Sequence, residues 1–184
     1  IIKNGPAERR RFMDMELSQL DKIYLSNLIN YNKVVNQRNK LLKELSFKSS
    51  EEKLETLDIW DLQLVKYGTE VMKRRVGFVQ ELNEIIGGLH EKLSGGTEKL
   101  TIEYQPCVEE TTFLDTVTKM RERDLRMKST CFGPHKDDLI FFINGSEVKK
   151  YGSQGQQRTA ALSLKLAEIE LVKKVVKDTP VLLL

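Results

Sequence analysis

Apolar residues recur at helical intervals through the first 95 residues. After Phe12 they fall three, four or seven positions apart with polar residues between them, as is typical of amphipathic helices; they are Leu17, Leu20, Tyr24, Leu28, Tyr31, Val35, Leu41, Leu42 and Leu45. A stricter seven-residue series follows, with Trp60 and Tyr67 in the second seam position, at Leu57, Leu64, Val71, Phe78 and Ile85. Such a repeat indicates a helix packed lengthwise against another helix. With a turn over residues 46–52, the pattern predicts an antiparallel helical hairpin or bundle.

The pattern changes after residue 99 to short segments of mixed type. Alternating and continuous apolar runs predict strands, and longer amphipathic runs predict helices. The predicted strands are 100–104, 139–143 with a turn at Asn144-Gly145, and a buried parallel strand at 181–184; the predicted helices are 112–128 and 159–176. The fold class is therefore predicted as α+β and mostly helical, with a helical arm at 1–98 and an α/β lobe at 99–184.

Composition sets broader limits. The chain has 184 residues, 40% of them apolar and 31% charged, which is ordinary for a globular protein. Its formal net charge of +3 is too small to indicate nucleic-acid binding by itself. Cys107 and Cys131 form no CxxC pair, and His90 and His135 are far apart, so we predict no metal site and reduced, cytosolic thiols. The apolar runs are too short to span a membrane, so no membrane partner is expected.

The segment 151–158 combines features of a phosphate site. Gly152 and Gly155 permit close approach of a ligand, and Ser153 offers a hydroxyl. The helix expected to start after Arg158 would add exposed N–H groups at the positive end of its dipole. A serine before a helix is equally typical of an ordinary N-cap that binds nothing. Both interpretations stay open on these residues alone.

Three motifs carry a resemblance to a known family. They are Gly133-Pro134-His135-Lys136-Asp137-Asp138-Leu139, then Ser153-Gln154-Gly155-Gln156-Gln157-Arg158-Thr159 running into Leu162-Ser163-Leu164-Lys165-Leu166-Ala167-Glu168, and the segment Gly5-Pro6-Ala7-Glu8-Arg9-Arg10-Arg11-Phe12-Met13-Asp14. Tyr31, Gln37-Arg38-Asn39 and Leu41-Leu42 agree with the same family. The chain resembles the RecF family, in the SMC-like branch of the ABC ATPases, from end to end. The resemblance makes residues 99–184 part of an ABC-type nucleotide-binding lobe.

Two parts that the family needs are missing from the sequence. No phosphate loop of the form G-x-x-x-x-G-K-[ST] occurs, and the sequence stops before the acidic pair expected after residues 181–184. We therefore expect an internal stretch of a longer protein, which its start at Ile1 without Met favours. ATP and Mg²⁺ are expected in the intact protein, a weak ATPase, with neither bound to this stretch and no catalytic residue within it. Leu93-Ser94-Gly95-Gly96 copies the common ABC signature but follows a helix, so we expect it to end that helix.

The resemblance implies a head-to-tail dimer in which a signature loop closes over ATP held by the other lobe. Ser153 would then donate its hydroxyl to a γ-phosphate oxygen, with backbone N–H groups of Gly155 and Gln156 beside it. The signature residues are Ser153, Gln154, Gly155, Gln156, Gln157 and Arg158. Gln157 and Arg158 either contact phosphate or ribose, or hold the loop in place. ATP-dependent homodimerisation follows from this arrangement.

Two basic runs are candidates for contact with DNA. They are Arg9, Arg10 and Arg11, and Lys73, Arg74 and Arg75. Arginine and lysine neutralise backbone phosphates, but each run also suits a solvated helix face paired with Glu8, Asp14 or Glu70, which we favour narrowly. His135, Asp137 and Asp138 are better explained as structural groups.

The resemblance implies a cytoplasmic, ATP-switched repair protein. It would bind DNA at single-strand/double-strand gaps, act with RecR and RecO type proteins, and help load RecA on single strands. The alternative is a helical docking module for a protein partner, without affinity of its own for nucleotide or DNA. Binding of a RecR-like partner without ATP or DNA affinity would favour that alternative.

Overall fold

A computed structural model describes residues 1–47 and 50–176. Its elements, in chain order, are α1 (Pro6–Leu20), α2 (Lys22–Leu45), α3 (Glu51–Leu93), β1 (Leu100–Gln105), α4 (Phe113–Lys119), α5 (Arg121–Met127), β2 (Asp138–Ile143), β3 (Ser146–Glu147), α6 (Val148–Tyr151) and α7 (Gln154–Val176). Single 3₁₀ turns lie at Glu110–Thr112 and Pro134–Lys136. The predicted α+β, mostly helical class is confirmed. The strand predicted at 181–184 lies outside the described residues.

The three described strands form one antiparallel sheet in the order β1-β2-β3. Strands β1 and β2 pair from Leu100 opposite Ile143 to Gln105 opposite Asp138. Between β2 and β3 the chain reverses at Asn144 and Gly145, whose φ angles of 48° and 79° are those of a type I′ turn. The strands and the turn predicted at 100–104 and 139–145 are therefore confirmed.

The described chain divides into two compact units. Unit 1 comprises residues 1–21, 75–105 and those from 138 onward, and unit 2 comprises 22–74 and 106–137. Helix α3 contributes residues to both units. The division predicted at residue 98 follows chain order, whereas these units are built from interleaved segments. The division into an arm and a nucleotide lobe therefore stays a prediction.

In unit 1, helices α1, α3 and α7 enclose a core with the sheet. Its buried side chains include Phe12, Met13, Leu17, Phe78, Leu82, Ile86, Leu139, Phe141, Leu164 and Leu171. Helix α3 ends at Leu93, and Gly95 and Gly96 follow with φ angles of 69° and 81°. The Gly96 N–H donates to the Glu91 carbonyl over 2.8 Å, as in a Schellman ending. The prediction that these glycines end the helix is confirmed.

The seven-residue series on α3 holds for its first four members. Leu57, Leu64, Val71 and Phe78 are at most 1% exposed. Ile85 is only half buried, because a helix with 3.6 residues per turn drifts away from a strict seven-residue repeat. The buried positions move instead to Val79, Leu82 and Ile86.

In unit 2, a buried arginine lies among the core positions of α2. Tyr24, Tyr31, Arg38 and Leu45 follow one another at intervals of seven and are all buried. The Arg38 guanidinium donates to Asp61 on α3 and to Asp124 on α5, each over 2.6 Å, and to the Thr130 hydroxyl over 3.0 Å. A buried charge needs such partners because desolvation disfavours it.

The helix predicted at 112–128 is wrong in one respect, because two short helices replace it. Helix α4 ends at Lys119 and α5 starts at Arg121. Within α5, Asp124 accepts hydrogen bonds from Arg38 and, over 3.0 Å, from the Cys131 N–H. These tertiary bonds set the position of α5, and local helix propensity contains no information about them.

Candidate functional site

Helix α7 begins at Gln154, five residues earlier than the predicted Thr159. Ser153 precedes it in the N-cap position, and its Oγ accepts the Gln156 N–H over 3.2 Å. The Gln156 Oε1 in turn accepts the Ser153 N–H over 2.8 Å. This reciprocal pair is a capping box, which satisfies two donors at the helix start. It offsets the low helix propensity of Gly155, so the segment expected as a loop forms the first helical turn.

The start of α7 is open to solvent on one side. Ser153, Gln154, Gly155 and Arg158 are exposed, whereas Gln156 and Gln157 are half buried. A side chain built at Gly155 would meet only Ser153 Oγ, at 3.7 Å. Helical geometry leaves the N–H groups of Gln154 and Gly155 without partners inside the helix. Their positive dipole end and the Ser153 hydroxyl can therefore receive an anion, while the Gln156 N–H is already used by the cap.

Gly152 and Gln157 stabilise the turn that leads into α7. A Cβ atom at Gly152 would lie 2.5 Å from the Val148 carbonyl oxygen, so close packing against α6 requires glycine here. The Gln157 Nε2 donates to the carbonyls of Gly152, over 3.0 Å, and Val148, over 3.3 Å. In this structure Gln157 holds the turn in place, whereas Arg158 is exposed.

A chain of polar side chains runs from Gln156 into the interior of unit 1. The Gln156 Nε2 donates to one Glu98 oxygen over 2.9 Å, and the other Glu98 oxygen lies 3.1 Å from His90 Nε2. His90 is fully buried, and its Nδ1 lies 2.8 Å from Ser163 Oγ on α7. Ser163 Oγ is in turn 2.9 Å from the Thr159 carbonyl.

Neither Glu98 nor His90 is among the residues that the sequence predicts for this site. One signal was available for His90, because it continues the buried positions Leu82 and Ile86 of α3 by another four residues. A histidine on an apolar helix face needs a polar partner, and Glu98 lies eight residues further along the chain.

Two of the six basic candidates for DNA contact are buried in ion pairs of unit 1. Arg9 donates from Nε and Nη2 to the two carboxylate oxygens of Asp138, each over 2.7 Å. Arg75 donates from Nη2 to Asp14 over 2.8 Å. Burial alone would raise the pKa of Asp138, but the hydrogen bonds from Arg9 and the Leu139 N–H outweigh it and lower that pKa.

The other four basic candidates are less buried. Arg11 and Lys73 are exposed, and Arg10 and Arg74 are half buried. Lys73 pairs with Glu110 over 3.0 Å and with Glu70 over 3.6 Å. These pairs raise the pKa of Lys73, first through the hydrogen bond to Glu110. Of the six candidates, Arg10, Arg11, Lys73 and Arg74 are therefore more accessible to a partner than Arg9 and Arg75.

His135 has a structural position in unit 2. Its Nε2 donates to the Thr130 carbonyl over 2.9 Å, so its Nδ1 accepts the Tyr31 hydroxyl proton over 2.6 Å. Gly133 has a φ of 126°, and a Cβ atom there would lie 2.3 Å from the Tyr31 oxygen. Asp137 accepts the Cys107 N–H over 2.7 Å. Across residues 1–47 and 50–176, no cluster of histidine, cysteine and acidic residues is arranged to hold a metal ion.

No helix within the described part of the chain is both long and apolar enough to span a membrane. No protein-family model matches the chain. The serine-capped turn and the helix that it opens contain one of the motifs for which the sequence resembles the SMC-like branch of the ABC ATPases. Comparisons with known proteins identify the proteins to which the whole chain is similar.

Proteins similar to the chain over its whole length are RecF proteins. The chain is 65% identical, over all its 184 residues, to the DNA replication and repair protein RecF of Lachnospira eligens, of which it covers 51%. It is 45% identical to the RecF of Halalkalibacterium halodurans, of which it covers 52%. A solved structure of the recombination mediator protein RecF with ATP superimposes with a TM-score of 0.93 at 37% identity, over the whole chain and 51% of that protein.

A second solved structure, RecF with ATPrS, gives a TM-score of 0.90 at 36% identity and covers 98% of this chain and 50% of its own. The chain is therefore similar to RecF proteins from end to end, and the predicted resemblance is confirmed. The chain spans about half the length of the RecF proteins that it matches.

Proposed function

We propose that this chain is the part of a RecF-type DNA replication and repair protein that senses ATP bound by a second copy. The observation that carries the proposal is the exposed, serine-capped start of α7 in a chain similar to RecF along its whole length. A solved RecF relative was obtained as an ATP complex. This sequence contains no phosphate loop of its own, so the ATP is held by another part of the assembly.

The proposed contact uses three donors at the start of α7. The Ser153 hydroxyl and the N–H groups of Gln154 and Gly155 point out of the helix start, where the dipole favours a γ-phosphate. Hydrogen bonds to a charged phosphate inside a dry interface are strong. Hydrolysis removes the γ-phosphate and with it the partner of these donors, so the dimer weakens. ATP, with Mg²⁺ bound elsewhere in the intact protein, acts as a switch.

The wider role follows the RecF relatives. We propose binding to gapped DNA together with RecR and RecO type proteins, and help in loading RecA on single strands. One solved relative is a recombination mediator protein of the RecFOR pathway. Exposed Arg11 and Lys73, with the half-buried Arg10 and Arg74, supply the positive charges for phosphate contact.

The test is sedimentation of a full-length RecF-type protein containing this chain, with and without a non-hydrolysable ATP analogue. Ser153→Asp is the sharpest variant, because aspartate caps a helix as well as serine does but repels a γ-phosphate. We expect analogue-dependent dimers for the wild type and their loss in Ser153→Asp and Ser153→Arg. Monomer affinity for the analogue and the melting temperature of Ser153→Asp should not change. Dimerisation retained in both variants contradicts the proposal.

A second function is favoured by an apolar surface on unit 2. Ile59 and Leu62 on α3 are 57% and 58% exposed, and Leu114 on α4 is 40% exposed. Leu62 and Leu114 line an open groove of about 340 Å³. A docking module would use such a surface for a protein partner. Loss of RecR-type binding in Leu62→Asp, with ATP-dependent dimerisation intact, would support that function.

A further inference from the structure

The side-chain amide of Gln156 is held at both ends. Its oxygen accepts the Ser153 N–H over 2.8 Å, and its nitrogen donates to Glu98 over 2.9 Å. An ionised carboxylate accepts and cannot donate, and a backbone N–H donates and cannot accept. The two partners therefore allow only one orientation of the Gln156 amide, with its nitrogen toward Glu98 and its oxygen toward the Ser153 N–H.

Glu98 is itself held by His90. Since the carboxylate can only accept, His90 Nε2 carries the proton of their 3.1 Å contact. The Ser163 hydroxyl has a single proton, which it donates either to His90 Nδ1, at 2.8 Å, or to the Thr159 carbonyl, at 2.9 Å. His90 is fully buried on the last turns of α3 and Ser163 is fully buried on α7. Within unit 1, Glu98 is thus fixed against α3 and α7.

We propose that Glu98 and His90 are positioning residues for the signature serine, acting through the side chain of Gln156. This inference rests on the proposed function of Ser153. When Glu98 holds the Gln156 amide, Gln156 Oε1 faces the Ser153 N–H and the capping box stays closed, so the Ser153 hydroxyl keeps one position at the exposed helix start. A fixed donor binds a phosphate better than a mobile one, because less freedom is lost on binding.

The test exchanges the hydrogen-bond donor and the acceptor between positions 156 and 98 in the full-length protein. Gln156→Glu keeps the capping box, for which glutamate at this position is as suitable as glutamine, but sets two carboxylates against each other. We expect the dissociation constant of the ATP-analogue dimer to rise roughly tenfold, the size of coupling found between contacting residues. Adding Glu98→Gln supplies a donor opposite Glu at position 156, and the double variant should recover most of the wild-type affinity.

Controls separate positioning from folding. Glu103 is exposed on β1, so Glu103→Gln makes the same charge change as Glu98→Gln without contact to the capping box and should dimerise like the wild type. The melting temperature without nucleotide should differ little between Gln156→Glu and the double variant, while their dimer affinities differ. If Gln156→Glu does not fold, Glu98→Ala replaces it, with Glu98→Gln as its conservative rescue, because His90 can exchange its tautomer to accept from an amide.

The outcomes separate this inference from the function on which it rests. The proposed function is overturned if the wild-type protein forms no analogue-dependent dimer, or if Ser153→Asp and Ser153→Arg both still form one. If Ser153→Asp abolishes the dimer while Gln156→Glu leaves its dissociation constant unchanged, the ATP contact stands and the positioning role is wrong. Equal loss in Gln156→Glu and in the double variant also overturns positioning by Glu98.

Discussion

The two units each contain a buried polar network, and the networks end in different places. In unit 2, Arg38, Asp61, Asp124 and Thr130 are at most 1% exposed, and the network leads from Asp61 through Arg121 to the exposed Asp58, where it ends in an ion pair between side chains. In unit 1, the network starts at buried Ser163 and His90 and leads through Glu98 to the exposed start of α7. Burial of charge alone therefore does not indicate a functional site. The network that ends at the exposed, capped start of a long helix is the better candidate, because that helix start has N–H groups without partners inside the helix.

The largest effect on stability should come from removing the buried arginine from the network of unit 2. Arg38→Met leaves Asp124 buried without its arginine and Asp61 with Arg121 alone, which bonds it over 2.8 Å. We expect a loss of about 3 kcal/mol in local stability, as is usual when one partner of a buried pair is removed. Peptide-resolved hydrogen exchange should show lost protection in α2 and α5.

Arg38→Met should reduce hydrogen-exchange protection in unit 2 only. Protection of α7 should stay unchanged, because its network belongs to unit 1. Lys53→Met is the matched control, since the Lys53–Glu44 pair of 2.8 Å is exposed and should contribute almost nothing. Equal losses in both variants, or loss of protection throughout α7, would show that the two networks are not independent.

A smaller effect on stability should come from Glu168 in unit 1, because burial disfavours the charged form of its carboxyl group. Burial, and secondarily the charge of Glu16, raise the pKa of Glu168 to about 7, against the lowering effect of Lys165. The folded state therefore keeps a proton that the unfolded state releases above pH 4.5, so stability falls as pH rises to about 7. Glu168→Gln should be about 2 kcal/mol more stable than wild type at pH 8 and equal to it at pH 4.

Thermal unfolding between pH 4 and pH 8 measures this difference. The melting temperatures of wild type and Glu168→Gln should diverge as the pH rises through 5 to 7. Parallel curves would mean that Glu168 is ionised at no cost. Diverging curves would instead sharpen the contrast with Asp138, whose pKa is lowered by the hydrogen bonds from Arg9 and the Leu139 N–H.

The smallest effect concerns the exposed basic residues. Arg11→Ala and Lys73→Ala should each weaken DNA binding less than tenfold and reduce the slope of log affinity against log salt by about one. Fluorescence anisotropy at several salt concentrations measures that slope. Lys33→Ala, an equally exposed change on α2, is the control. Slopes equal to the control would remove both residues from the DNA surface.

Much of the fold could be predicted because its signals are local. The seven-residue series at Leu57, Leu64 and Val71 predicted the long helix, and Asn144-Gly145 predicted the hairpin turn. The start of α7 was placed too late because Gly155 and the glutamines suggested a loop. The Ser153–Gln156 spacing was the available signal, since it fits a capping box.

The polar networks could not be predicted in the same way. Arg38 follows Tyr31 by seven residues, but its partners Asp61 and Asp124 are 23 and 86 residues away. The same holds for Gln156, which lies 58 residues from Glu98. Pairings at such distances depend on packing that a single sequence does not contain. At the start of α7 the residues alone left a phosphate site and an ordinary N-cap equally open, and the family resemblance favoured the phosphate site.

The hydrogen bonds and burial of the Cys107 sulfur affect how this protein can be labelled with fluorescent dyes. The residue is exposed, yet its sulfur donates to the Gly133 carbonyl over 3.3 Å and accepts the Gly133 N–H over 3.1 Å. Burial of the sulfur, with the negative charge of Asp137, raises its pKa to about 11. At pH 7 only roughly one thiol in ten thousand is then a reactive thiolate. Burial also raises the pKa of Cys131, so a cysteine introduced on an open surface would react with a maleimide dye well before either native thiol.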